Sequence, residues 1–203
     1  MGSTWLYLIR HGEVVDAASR RFIGHVDVPL STRGEAQCES LARELAGERF
    51  AAVYSSDLAR ARRSAEILSA PHGLSPVSIP ALREMAMGRW EGLTADEIQA
   101  REPEAFSDWM SRIGEFPFPD GESLLDLERR AMPALTDLLE RHRGRSLLVV
   151  AHGGTNRVIL CRALGIPLEK IVTLGQDYAG LSVLEWKDGE CVLHLLNQRS
   201  DHA

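Results

Sequence analysis

The sequence predicts an α/β fold, a three-layer α/β/α sandwich around a mostly parallel central sheet with an antiparallel hairpin at one edge. Three observations carry this. Short β-forming apolar runs, among them Trp5–Ile9, Phe50–Ser55 and Leu147–Ala151, alternate with helical patterns, the order that builds a parallel sheet covered by helices. The first and last of these are continuous rather than alternating, as in strands buried on both faces. Near the C-terminus, two strand-like runs flank Lys187-Asp188-Gly189-Glu190, and its Asp-Gly step favours a tight hairpin.

Taken in order, Trp5–Ile9 stops at Arg10-His11-Gly12, a strand opening into a loop. Thr32–Ala46 has helical apolar spacing at Ala36, Leu41 and Leu45, with Ser31 or Thr32 to cap it and Gly47 to end it. Phe50–Ser55 is the second strand, and Ser56 or Asp57 is expected to cap a helix running to about Ala70. Pro71, Gly73, Pro76 and Pro80 leave room only for a short strand at Val77–Ile79. Met85 to Arg145 shows no strand pattern, but Thr94-Ala95-Asp96-Glu97 is a capping box, and Ser123–His142 is helical with a local distortion expected at Pro133. Residues 85–145 or so are therefore expected to form a helical insertion over one end of the sheet, within a single domain spanning 1–203. Leu147–Ala151 is followed by a helix over Asn156–Leu164, ended by Gly165-Ile166-Pro167. The hairpin strands are Leu181–Trp186 and Cys191–Leu196.

Composition narrows the function. The chain is 44% hydrophobic and 26% charged, enough apolar material for a core and contrary to disorder. Its 23 Lys and Arg against 29 Asp and Glu leave a net charge of −6, without the basic excess that polyanions recruit. No nucleic-acid or membrane partner is expected. Cys38, Cys161 and Cys191 are widely spaced with no CxxC, which fits neither a disulfide framework nor a thiolate zinc site and suggests a reducing compartment. No run approaches a membrane span or a secretory leader, so the expected location is cytoplasmic.

In open α/β sheets, ligands bind beyond the carboxyl ends of the strands. Three polar groups fall there: Arg10-His11-Gly12, Ser55-Ser56-Asp57 with Arg60, and His152-Gly153-Gly154. Arginine offers a permanently charged fork of donors that matches phosphate oxygens. Gly12, Gly153 and Gly154 allow the backbone to approach a ligand. A histidine beside two arginines is pushed toward its neutral form, which frees a ring nitrogen to accept a phosphoryl group.

Leu8-Ile9-Arg10-His11-Gly12-Glu13 resembles the Arg-His-Gly signature of the histidine phosphatase superfamily, whose fold is phosphoglycerate-mutase-like. Five further blocks match it in order. They are Gly24-His25-Val26-Asp27-Val28-Pro29-Leu30-Ser31, Ser55-Ser56-Asp57-Leu58-Ala59-Arg60-Ala61, Leu82-Arg83-Glu84 leading to Gly88-Arg89-Trp90-Glu91-Gly92, Asp120-Gly121-Glu122-Ser123, and Ala151-His152-Gly153-Gly154.

The resemblance implies that His11 is the nucleophile, becoming phosphohistidine. It implies that Arg10, Arg60 and His152 bind the phosphoryl oxygens, with Gly153 beside them, and that Glu84 protonates the leaving oxygen and then activates water. No metal and no cofactor are implied. His25 either contacts the leaving group or sits on a surface loop. Trp90 reads as a packing residue, and Asp177-Tyr178, just before the hairpin, as structural or as an edge of the pocket, the structural role being favoured. One departure stands out: Ala17 occupies the place of an Asn the family often has.

The modest length and the run Met85–Gly92 resemble the phosphatase branch, so the implied partner is a small phosphomonoester. Gly24-His25 and the hairpin Leu181–Asn197 point within that branch to α-ribazole 5′-phosphate. The alternatives are a phosphoglycerate mutase-type phosphotransferase and a non-catalytic phosphate-binding module, the latter disfavoured because none of the five central residues is missing. A homodimer is left open.

Overall fold

The apolar runs form strands close to where their sequence patterns place them. In the computed structural model, which describes residues 2–200, β1 spans Thr4–Arg10, β2 Phe50–Ser55, β3 Val77–Ser78 and β4 Ser146–Ala151. The hairpin is β5, Leu181–Lys187, and β6, Glu190–Gln198. Met1 and residues 201–203, which the single-domain expectation includes, lie outside the described residues. The strands make one six-stranded sheet in the order β3-β2-β4-β1-β5-β6. The first four are parallel, and β5 and β6 add an antiparallel edge beside β1. Asp188 and Gly189 both have positive φ, 51° and 90°, as a two-residue turn matched to strand twist requires.

The helices are α1 Thr32–Glu44, α2 Ala59–Ser69, α3 Ala95–Arg101, α4 Pro103–Ser111, α5 Leu124–Arg141 and α6 Gly153–Leu164. Successive side chains of a strand point to opposite faces, so β4 divides its apolar run between two cores. Leu147 and Val149 join Leu127, Leu135, Leu138, Val158 and Ile159 of α5 and α6. Leu148 and Val150 join Leu41, Ala61, Ala65 and Leu68 of α1 and α2. A helical layer on each face is what makes a continuous apolar strand favourable. Truncating one such buried leucine to alanine costs about 2–5 kcal/mol.

Two boundaries differ from the sequence pattern, whereas α5 matches it. Leu58, not Ser56 or Asp57, occupies the cap position of α2, and the acceptor arrives from elsewhere: Asp27 Oδ1 takes the Ala59 N–H at 2.7 Å. Helix α6 starts at Gly153 rather than Asn156, so the two glycines form its first turn. α5 runs through Pro133 as one helix and packs beside α6 on the sheet. The capping boxes at Thr94 and Ser123 are both closed.

For function, the decisive feature is strand order. β4 lies between β1 and β2, and pairings of Arg10 with Ala151 and of Ser55 with Val150 bring three carboxyl ends level.

Candidate active site

Just beyond those ends, His11 leaves β1 and His152 leaves β4, with ring centroids 5.1 Å apart. From β2, Ser56 Oγ hydrogen-bonds His152 Nε2 at 2.6 Å. Arg60 enters from the first turn of α2 and is 1% exposed.

His11 Nδ1 lies 2.7 Å from the Gly12 carbonyl oxygen. A carbonyl can only accept, so Nδ1 carries the proton and, in the neutral ring, Nε2 keeps a free lone pair. The Gly12 N–H donates to Ser64 Oγ at 3.1 Å. A Cβ on Gly12 would fall 2.3 Å from the Gly34 carbonyl oxygen, so only glycine fits this turn. Burial first, then the Arg10 and Arg60 charges, hold His11 well below the ordinary imidazole value of 6.5. His152 is depressed in the same way, by burial and then by His11, Arg60 and Arg10. The like-charge push expected from the sequence is present, but desolvation is the larger cause.

Arg10 Nη1 donates to the Gln176 carbonyl oxygen at 2.6 Å, and its guanidinium lies 4.0 Å over the Tyr178 ring. Its Nε is buried without a partner among the described residues, as is His152 Nδ1. Arg60 donates, among the described residues, only to carbonyl oxygens, Val26 at 2.8 Å and Gly24 at 2.7 Å. Among the described residues neither arginine pairs with a carboxylate. Two such cations held together favour an anion strongly, because a desolvated guanidinium has little else to offset its charge.

Glu84 stands in the loop after Pro80–Leu82. Its carboxylate accepts the N–H groups of Met85 at 2.9 Å, Gly154 at 2.9 Å and Thr155 at 3.2 Å. It thus meets the first turn of α6, whose free N–H groups attract a carboxylate. Its main-chain oxygen accepts from His25 Nε2 and from Arg130 Nη2, both at 2.7 Å. Arg130 also binds the carbonyl oxygens of Ala81 and Arg83 and pairs with Glu122 at 2.7 Å. Next to Glu84, Arg83 grips Asp57 through both oxygens and holds that carboxyl below its usual range.

Arg10, His11, Arg60 and Glu84 line one cleft of about 270 Å³, with Tyr178, Met87 and the segment Arg20–Gly24 as further walls. His152 is fully buried against His11 and does not line the open cleft. Gly153 sits close to Arg10, whose Nε would be 3.5 Å from a Cβ there. Of the two readings of His25, substrate contact or loop surface, the structure gives the ring a third partner: its Nε2 donates to the Glu84 main-chain oxygen, and the neighbouring Gly24 lines the cleft. Ala17 belongs to the single turn Ala17–Ser19, outside the cleft. Trp90 is fully buried among Phe22, Phe116 and Phe118, as a packing residue should be. Tyr178 borders the cleft, the less favoured of the two sequence readings for Asp177-Tyr178. Arg130 had no sequence signal at all. Ser56, which the sequence offers as a helix cap and as part of a matched block, instead holds His152. A larger hollow of about 530 Å³ between α5 and the β5–β6 turn contains no histidine. No group of three or more His, Cys, Asp or Glu among the described residues is placed to hold a metal ion. No helix among them is long and apolar enough to cross a membrane.

This geometry has counterparts in known proteins. Residues 6–199 match the family described as the histidine phosphatase superfamily (branch 1). Phosphoserine phosphatase 1 of Hydrogenobacter thermophilus is 31% identical over 192 residues, 95% of this chain and 91% of the relative. A probable phosphoglycerate mutase, GpmB, of Yersinia pestis is 34% identical over 183 residues, 90% of this chain and 85% of the relative. The α-ribazole phosphatase structure from Shigella flexneri superposes with a TM-score of 0.89 at 28% identity, covering 97% of each chain.

Proposed function

This chain belongs to the histidine phosphatase superfamily, branch 1, and from that footing we propose that it is a phosphomonoester hydrolase working without a metal through a phosphohistidine at His11. One observation carries the reading. The Nδ1–H of His11 is tied to Gly12, which leaves Nε2 as the free nitrogen, in a cleft with two arginines that have no carboxylate partner among the described residues.

Arg10 and Arg60 take the phosphoryl oxygens, and His152 adds a donor from behind His11. His11 Nε2 then attacks phosphorus in line as the ester P–O bond breaks, and Glu84 gives its proton to the departing oxygen. In the second half Glu84 takes a proton from water. The water oxygen attacks the phosphohistidine, the N–P bond breaks, and inorganic phosphate leaves with His11 restored. The substrate is a small phosphorylated metabolite in the cytoplasm, with α-ribazole 5′-phosphate as the first to assay.

The test is hydrolysis of p-nitrophenyl phosphate in EDTA. Turnover should persist in the chelator and vanish in His11→Ala, and full activity in that variant would overturn the assignment. The likeness to a mutase-named relative supports a second reading, phosphoryl return to a bound product. Robust isomerisation of 3-phosphoglycerate with a bisphosphate primer would favour it over hydrolysis.

A further inference from the structure

The cleft is more basic than one phosphate monoester needs. Arg10, Arg20, Arg21 and Arg60 line it, against Glu84 as the one acidic residue on its wall. This concentration occurs in a chain whose net charge is −6. Arg21 is already committed, donating to the Gly92 carbonyl oxygen at 2.6 Å and pairing with Glu97 at 2.9 Å. Arg10 and Arg60 belong to the phosphoryl group. Arg20 has no ion pair or side-chain hydrogen bond among the described residues, and it is exposed where it lines the same cleft as the buried His11.

The loop that presents Arg20 is ordered by its own contacts. Ser19 Oγ donates to the Asp16 carbonyl oxygen at 2.7 Å, and the Arg20 N–H reaches the Ala17 carbonyl oxygen at 3.2 Å. Both ends of the turn, Asp16 at φ 57° and Arg20 at φ 51°, take the left-handed conformation that a side-chain-bearing residue rarely adopts. The turn thus places on the cleft, at a conformational cost, a cation without an ion pair among the described residues. Ile23 and Met87 supply apolar wall in the same cleft.

We infer that Arg20 forms a second anion subsite, so that the preferred substrate is a small phosphomonoester carrying a further anionic group, a carboxylate or a second phosphate. The inference rests on the hydrolase reading only in seating the first phosphate at Arg10 and Arg60. Long and exposed, the Arg20 guanidinium acts on selectivity through a screened ion pair and takes no part in bond breaking.

Two matched pairs of esters isolate the second anion. O-phosphoserine and O-phosphoethanolamine differ by one carboxylate, and fructose 1,6-bisphosphate and fructose 6-phosphate differ by one phosphate. The readouts are the kcat/KM ratio within each pair and the Kd ratio measured by calorimetry on His11→Ala. The more anionic member of at least one pair should be favoured about fivefold, the upper end for an exposed ion pair. Arg20→Ala should bring that ratio to near one, Arg20→Lys should restore most of it, and rising salt should shrink it. Ratios near one for both pairs in the natural protein, or a preference that survives Arg20→Ala, overturn the subsite. p-Nitrophenyl phosphate separates the two failures. Its hydrolysis without any pair preference leaves the hydrolase standing and sinks the subsite. Absence of all hydrolysis sinks the hydrolase, and the Kd ratio then decides the subsite by itself.

Discussion

Arg130 Nη2 donates to the main-chain oxygen of Glu84 at 2.7 Å, from a helix position 46 residues further along the chain. The same guanidinium holds the carbonyl oxygens of Ala81 and Arg83 and both oxygens of Glu122. One side chain therefore fixes the backbone that carries the proposed acid, while His25 reaches the same Glu84 oxygen from another loop. Replacing Arg130 with Met should lower kcat by about 10–100-fold with little change in KM, since displacements near 1 Å carry costs of that order. Stability should also drop, on the order of 1–3 kcal/mol, because Glu122 loses its partner. Steady-state kinetics and urea unfolding read the two effects, and an unchanged kcat would remove the positioning role.

A methyl group at Gly154 should cost turnover rather than folding, because what it meets is the end of the Glu84 side chain. A Cβ there would stand 2.4 Å from Glu84 Oε1, so Gly154→Ala pushes the carboxylate aside while leaving the helix a better former than before. Turnover should fall as it does in Glu84→Gln, by about 10²–10⁴-fold, the range for losing a general acid. In both variants the rate should become more sensitive to the leaving group across a series of aryl phosphates, with vanadate binding retained in Glu84→Gln. A series as flat as that of the natural protein would dismiss Glu84 as the acid.

Acid should weaken both activity and stability through the two buried histidines. His11 and His152 are held well below 6.5 when folded. Between those depressed values and about 6.5 the unfolded chain binds protons that the native protein does not, so stability rises with pH across that window and is lost as pH falls through it. Each fully linked histidine contributes a slope of about 1.4 kcal/mol per pH unit. Above 6.5 both states are neutral and the slope vanishes. Urea unfolding at pH 7.5 and pH 5.5 should show the loss, and His11→Phe should reduce it. For kcat/KM, the acid limb should lie below pH 6.5, because the free Nε2 persists there. A limb above that value would contradict a depressed nucleophile.

Phosphate or vanadate should stabilise the protein by neutralising Arg10 and Arg60. Ligand at about one hundred times its Kd adds about 2.7 kcal/mol to unfolding. Thermal denaturation with and without phosphate measures this. The increment should disappear in Arg10→Ala, whose guanidinium has a buried Nε without a partner among the described residues. A rise in Tm that survives that change would place the anion elsewhere.

Much of the fold was legible because its signals are local. Continuous runs such as Leu147–Ala151, the Asp188-Gly189 turn and the Thr94 capping box are written within a few residues of where they act. His11, Arg60, Glu84 and His152 were legible for another reason, through block order and their places near strand ends. The misread boundaries share a cause. Helix α2 is capped by Asp27, and α6 begins at Gly153 with its N–H groups answered by Glu84, 70 residues away. His25 was ambiguous until its ring met the Glu84 carbonyl.

By itself, the sequence determined the strand and helix pattern, the parallel sheet with its edge hairpin, and the identity of the two histidines and two arginines placed beyond the strands. Hydrophobic periodicity and turn chemistry suffice for that, since each depends on near neighbours. Only the tertiary structure decided that β4 sits between β1 and β2, which brings His11 and His152 within 5.1 Å and buries both. It likewise decided that Arg130 and His25 hold Glu84, that Tyr178 underlies Arg10, and that Arg20 stands at the cleft without an ion pair among the described residues. Hydrogen bonds and desolvation between segments far apart in sequence have no local pattern, and they set the histidine protonation on which the proposed chemistry depends.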